Sequence, residues 1–148
     1  MTLEERITTD LKTAMKAKDK QALRGIRAIK TALLLQKTDG SGKSLDDAGE
    51  IALLQKLVKS RQDSYDIYVQ QNREDLAATE KEEIEVISRY LPAQLSEAEL
   101  SDLIDGIIAK TGASSMRDMG KVMGMANKEV AGRADGKTVA ATVKAKLS

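Results

Sequence analysis

The sequence predicts an all-α chain, with an N-terminal four-helix domain followed by a small three-helix tail domain. Three observations lead there. The 148 residues include no Phe and no Trp and only three tyrosines, Tyr65, Tyr68 and Tyr90, so Leu, Ile, Val, Ala and Met must fill the interior. Packed sheets lean on β-branched and aromatic side chains, whereas Ala, Leu, Met, Glu, Lys and Gln favour helix. Apolar residues recur at spacings of three and four along most of the chain, the period of one helix face. The single proline, Pro92, separates two such blocks.

The first helix is expected over about Leu3 to Lys16, with Leu3, Ile7, Leu11 and Met15 as its apolar stripe. Asp19 can cap the second, whose apolar face is Leu23, Ile26, Leu33 and Leu34, with Lys20, Arg24 and Arg27 on an adjoining stripe. The run Thr38-Asp39-Gly40-Ser41-Gly42 breaks the pattern and reads as a loop. Ser44 with Asp47 resembles a capping box for a long third helix. On that helix Ile51, Leu54, Val58, Tyr65 and Tyr68 share a stripe, interrupted by Arg61. A turn is expected near Asn72, then a fourth helix from about Arg73 to Tyr90 carrying Leu76, Ile84 and Ile87, with Leu91 just beyond. The third and fourth helices make a helical hairpin that can pack on the first two.

Proline has no amide to donate and disfavours helix at the residue before it, so the domain boundary is placed there, giving domains 1–92 and 93–148. Ser96 with Glu99 forms a capping box, and Leu100, Leu103, Ile104 and Ile107 continue that helix until Gly112. Ser115 with Asp118 suggests another capped start, followed by Met116, Met119, Met123, Ala126 and Val130. Gly132 closes this helix. Asp135 can cap the last, whose face is Val139, Val143 and Leu147.

Histidine and cysteine are both missing, which removes the commonest nucleophile and base arrangements, disulfides and thiolate metal sites. A catalytic site of the chain's own is not expected, and neither is a cofactor or a metal. The acidic run Glu74, Asp75, Glu80, Glu82, Glu83 and Glu85 reads as a solvated face, with Glu85 and Arg89 spaced for an ion pair. Gly40-Ser41-Gly42-Lys43-Ser44 imitates the end of a phosphate-binding loop, but Lys37 stands where that motif needs its first glycine. The start Met-Thr-Leu-Glu-Glu-Arg has neither the basic opening nor the apolar run of a signal peptide, and no stretch reaches the ~18 apolar residues of a membrane span. The expectation is a cytoplasmic protein with no membrane partner.

Charge is segregated within a net +1. Residues 1–37 hold nine basic and four acidic side chains, residues 38–109 seven and sixteen, and residues 110–148 eight and three. Two basic ends flank an acidic middle, a pattern that suits a polyanionic partner. The methionine stripe reads as core. On the opposite face of that helix Arg117, Lys121, Gly124 and Lys128 cluster, with a glycine to let another backbone come close. Arg133 and Lys137 follow beside a helix N-terminus, whose free amides favour anions. An ordinary solvated basic face is the competing reading. With so few aromatics, nucleic acid here is expected to be gripped by phosphates and shape rather than by stacked bases.

Several segments are similar to the YqeY family. They are Tyr90-Leu91-Pro92-Ala93-Gln94-Leu95-Ser96, Thr111-Gly112-Ala113-Ser114-Ser115, Asp118-Met119-Gly120-Lys121-Val122-Met123-Gly124 and Gly132-Arg133-Ala134-Asp135-Gly136-Lys137. Met15 to Lys20 and Gln55 to Asp75 resemble it as well, so the likeness covers nearly the whole chain. Members resemble the C-terminal helical and tail regions of GatB, a subunit of the glutamine-dependent Glu-tRNA and Asp-tRNA amidotransferase. The resemblance implies tRNA contact at Arg117, Lys121, Lys128, Arg133 and Lys137, with amidotransferase or aminoacyl-tRNA synthetase as protein partners. GatB's catalytic body is missing here, so a carbon–nitrogen ligase label would describe association rather than chemistry. The leading expectation is a tRNA-binding module. A protein–protein adaptor, suggested by the acidic middle and the Met-rich helix, is the alternative, and a glutamine-dependent amide-transfer component comes third.

Overall fold

Short polar side chains decide where most of these helices begin. A computed structural model describes residues 1–39 and 45–148. Those residues hold seven α-helices, one 3-10 turn at Met116–Asp118 and no strand. Their contacts divide the chain into two compact units, Met1–Leu91 and Pro92–Ser148.

The first unit holds α1 (Leu3–Ala17), α2 (Lys20–Lys37), α3 (Asp47–Gln70) and α4 (Glu74–Ser88). Thr2 and Glu5 form a capping box at α1, Asp19 caps α2 through the Ala22 amide, and Asp46 caps α3 through the Gly49 amide. The expected Ser44–Asp47 box and the phosphate-loop imitation involve residues outside those described. Lys18 at φ 56° and Asn72 at φ 57° take the left-handed conformation that turns the chain between helices.

Packing runs α1 on α2, α2 on α4, and α4 on α3. The core is Leu3, Ile7, Ala14, Ala22, Ile26, Ile29, Leu33, Leu54, Val86, Ile87 and Tyr90. α2 and α4 meet so closely that a Cβ on Gly25 would lie 2.5 Å from Val86 Cβ and Cγ1. Two expected core residues lie outside instead: Met15 is 56% and Leu34 52% exposed. A strict four-residue repeat drifts by about 40° per step around a helix, so Met15, three steps from Leu3, has left the buried face, and Ala14 replaces it. In α2 the buried stripe runs through Gly25 and Ile29, which leaves Leu34 on the far side.

α3 buries only Leu54 fully, and the rest of its expected stripe is half-buried. Arg61, the interruption in that stripe, bonds Glu83 of α4 at 2.9 Å, each side chain only 19% exposed. Glu82 likewise pairs with Arg24 of α2. Two members of the acidic run thus brace helices against each other rather than facing solvent alone. Glu85 and Arg89 form no ion pair with each other among the described residues.

The second unit holds α5 (Glu97–Thr111), the 3-10 turn, α6 (Met119–Val130) and α7 (Gly136–Leu147). Leu100, Ile104, Ile107, Val122, Ala126, Val130, Val139, Val143 and Leu147 are its core, with Met119, Met123 and Met125 half-buried against them. The Ser96–Glu99 and Ser115–Asp118 capping boxes are both formed, and Gly112 ends α5 at φ 68°.

Candidate nucleic-acid interface

α6 is amphipathic because Val122, Ala126 and Val130 occupy one face at helical spacing and are at most 2% exposed. Met119 and Met123 pack half-buried beside that face, so of the expected stripe only Ala126 and Val130 are fully buried. Met116, in the 3-10 turn, is 42% exposed.

On the outer side, Lys121, Gly124 and Lys128 are exposed together, and Arg117 precedes them from the 3-10 turn. None of these three cations takes part in an ion pair among the described residues. Gly120 joins Gly124 one turn away, and a Cβ built on either would meet nothing within 4 Å. Glycine inside a helix is less favourable than alanine by about 1 kcal/mol, and here no packing demand requires it. The result is a strip of bare backbone beside three unpaired cations. Sequence reasoning chose Gly124 and passed over Gly120, although two glycines four apart on a helix were visible as a signal.

Arg133 has a different position. Its Nε donates to the Val130 carbonyl at 3.1 Å and an Nη to the Glu129 carbonyl at 2.9 Å, so the guanidinium caps the C-terminus of α6. Ala131 at φ 48° and Gly132 at φ 84° bend the chain there. The Leu95 amide then donates to the Arg133 carbonyl at 2.8 Å, and Gln94 Nε2 to the Gly132 carbonyl at 3.2 Å. This loop pins the segment after Pro92 onto its own unit.

Lys137 is exposed in the first turn of α7, at the head of a shallow open groove of about 600 Å³ beside α5. Ser101, Thr138 and Thr142 contribute hydroxyl-bearing walls and Ala141 and Ala145 small ones. The helix N-terminus is already served: Asp135 accepts from the Thr138 amide at 2.7 Å and from the Thr138 hydroxyl at 3.0 Å. Its carboxylate competes with any external anion for that end of the dipole.

Besides Arg73 and Asp75, which shift apart because they pair with each other, three groups have displaced pKa values. Burial, and then the bond to Asp10, hold the Tyr90 phenol well above its ordinary value. Its hydroxyl donates to Asp10, and Arg6 stands 5.1 Å from the ring centre. Burial, and then neighbouring Glu83, push Glu80 up. Backbone and side-chain bonds to Ser96 hold Glu99 below the usual range. Among the described residues no group of three or more acidic side chains is placed to hold a metal ion, and no helix is long and apolar enough to cross a membrane.

Fold and site together define an all-α chain of two helical units, the second carrying an exposed basic helix face. The chain belongs to the family described as Yqey-like protein, whose model matches residues 4–147. Curated relatives carry the name "Altered inheritance of mitochondria protein 41, mitochondrial". That of Lachancea thermotolerans is 36% identical over 104 residues, 68% of this chain and 55% of the relative. That of Pyrenophora tritici-repentis is 31% identical over 132 residues, 87% of this chain and 71% of the relative. In Saccharomyces cerevisiae strain YJM789 the match is 30% over 114 residues, 73% of this chain and 62% of the relative. The matched region therefore spans from 55% to 71% of these relatives' own length.

These names overturn the cytoplasmic expectation, since the relatives are named mitochondrial. That expectation rested on what the first residues lack, and a missing export signal is not an address. The names do not mention tRNA, an amidotransferase or an enzyme activity.

Proposed function

We propose that this chain is a GatB/YqeY-like tRNA-binding module, accessory to tRNA-dependent amidation or aminoacylation and without chemistry of its own. In this reading the chain has two domains, 1–92 and 93–148, of four and three helices, a boundary one residue beyond that of the compact units. One observation supports it: Arg117, Lys121 and Lys128, in no ion pair among the described residues, flank the open-sided backbone of Gly120 and Gly124. Exposed cations on one helix face can contact phosphates, and a strip without side chains lets a sugar–phosphate chain lie close. Lys137 adds a cation on α7, beside the groove next to α5. Arg133 contributes by shaping the loop that sets the end of α6.

The test is binding of the purified chain to total tRNA across a salt titration, with duplex DNA as control. Saturable binding that prefers tRNA and weakens steeply with salt is expected. Replacing Arg117, Lys121 and Lys128 by alanine should lower the salt slope by roughly two to three, at about 0.7–0.9 per lost phosphate contact. A slope unchanged by the triple variant would sink this reading.

A further inference from the structure

The outer stripe of α2 is chemically unlike the outer face of α6. Lys20, Arg24, Arg27, Thr31, Leu34 and Leu35 recur at helical spacing on the side of α2 away from Ile26, Ile29 and Leu33. All six are exposed, Leu34 by 52% and Leu35 by 66%. Arg24 is held by Glu82, whereas Lys20, Arg27 and neighbouring Lys30 form no ion pair among the described residues. Beside Leu34 a small cleft of about 40 Å³ opens between α1 and α2, floored by Ile7 and Leu33 and rimmed by Thr8, Lys30 and the Glu4–Lys37 ion pair, whose carboxylate is already neutralised. It has room for a methyl-sized group. The stripe is thus basic along its first half and apolar, with an anchor recess, along its second.

We propose that this stripe docks an acidic segment of a partner protein that also carries apolar anchor residues, an interaction separate from the RNA reading of α6. Charge complementarity selects the occupant. A nucleic acid backbone would neutralise Lys20 and Arg27 but leave Leu34 and Leu35 in water. A lipid surface needs an apolar band along the helix, and here the apolar residues occupy only one end. A second copy fits neither way: antiparallel pairing sets cations on leucines, and parallel pairing sets cations on cations. An acidic stretch followed by apolar side chains satisfies both halves at once, with the leucines as buried anchors and the cations fixing direction.

The experiment uses the full chain in cells, with photoreactive p-benzoylphenylalanine in place of Thr31. After irradiation and nuclease digestion, the cross-linked adduct is purified and its attached peptide sequenced. A nuclease-resistant adduct to an acidic peptide containing apolar residues is expected. Its yield should fall about tenfold or more in the Leu34→Ser/Leu35→Ser and Lys20→Glu/Arg27→Glu variants. The triple alanine variant of Arg117, Lys121 and Lys128 should keep it, which separates this test from the RNA reading. Reversing the peptide's acidic residues to lysine should restore the adduct to Lys20→Glu/Arg27→Glu, a gain that a misfolded variant cannot give. An adduct to nucleic acid, to lipid, to a second copy or to a peptide without acidic excess overturns the proposal, as does no adduct at all.

Discussion

Gly25 in α2 and Gly124 in α6 are the same residue in the same kind of element, and they do opposite work. At Gly25 a methyl group would run into Val86, so the missing side chain is what lets α2 and α4 cross. At Gly124, and at Gly120 before it, a methyl group would meet open space. In the first unit glycine is required by the fold. In the second it lowers helix stability without a packing return, as Gly106 in α5 does too. A glycine inside a helix therefore acquires meaning only from what surrounds its Cα.

That contrast can be broken most forcefully at Gly25. Gly25→Ala should destabilise the chain by ~1–3 kcal/mol in urea unfolding, because the added methyl overlaps a buried valine. Next, Gly120→Ala/Gly124→Ala should raise stability by up to about 2 kcal/mol in the same assay, from helix propensity alone. If the bare strip receives a sugar–phosphate backbone, the same variant should bind tRNA more weakly while being more stable. Stabilisation with undiminished binding would remove the glycines from the interface.

Two smaller effects contrast how each unit is fastened. Tyr90→Phe should cost ~1–2 kcal/mol, since it takes the hydroxyl donor from Asp10 beside a buried ring. The phenol's pKa is raised in the folded state, so its contribution is complete below its ordinary value of 10.0 and lost as pH rises further. Alkaline unfolding monitored by circular dichroism should thus show a steeper decline in the parent than in Tyr90→Phe. In the second unit, Ser96→Ala should cost about 1 kcal/mol by removing a cap. The Glu99 carboxyl there is depressed, so its contribution is present above the ordinary carboxylate range and lost as pH falls through the folded value. The Ser96→Ala variant should therefore lose less stability on acidification than the parent.

Features confined to a few successive residues were the ones legible in the sequence. The Ser96–Glu99 and Ser115–Asp118 boxes, the caps at Asp19 and Asp135, and the end of α5 at Gly112 all depend on groups within four residues of each other. What depends on a second helix was not legible. Nothing near Gly25 announces Val86 and nothing near Tyr90 announces Asp10. The exposure of Met15, by contrast, follows from the drift of a four-residue repeat and was open to a closer reading of the period. The site divides in the same way. The outer face of α6 follows from helical period, so Lys121, Gly124 and Lys128 were found. Arg133 looked like a free cation because its acceptors, the Glu129 and Val130 carbonyls, become available only once α6 has ended.

The order of helices in the first unit also bears on the order in which it can form. α1 with α2, and α3 with α4, are hairpins whose contacts join near neighbours in the chain, so each is fast to assemble. The two hairpins are joined chiefly where α2 meets α4, across some sixty residues between Gly25 and Val86. During synthesis the ribosome must have released nearly all of this unit before its interior can close. Tyr90, next to the last residue of the unit, can bring its hydroxyl to Asp10 of α1 only once that residue has emerged, so this bond between the two ends of the unit follows the local pairing of α1 with α2.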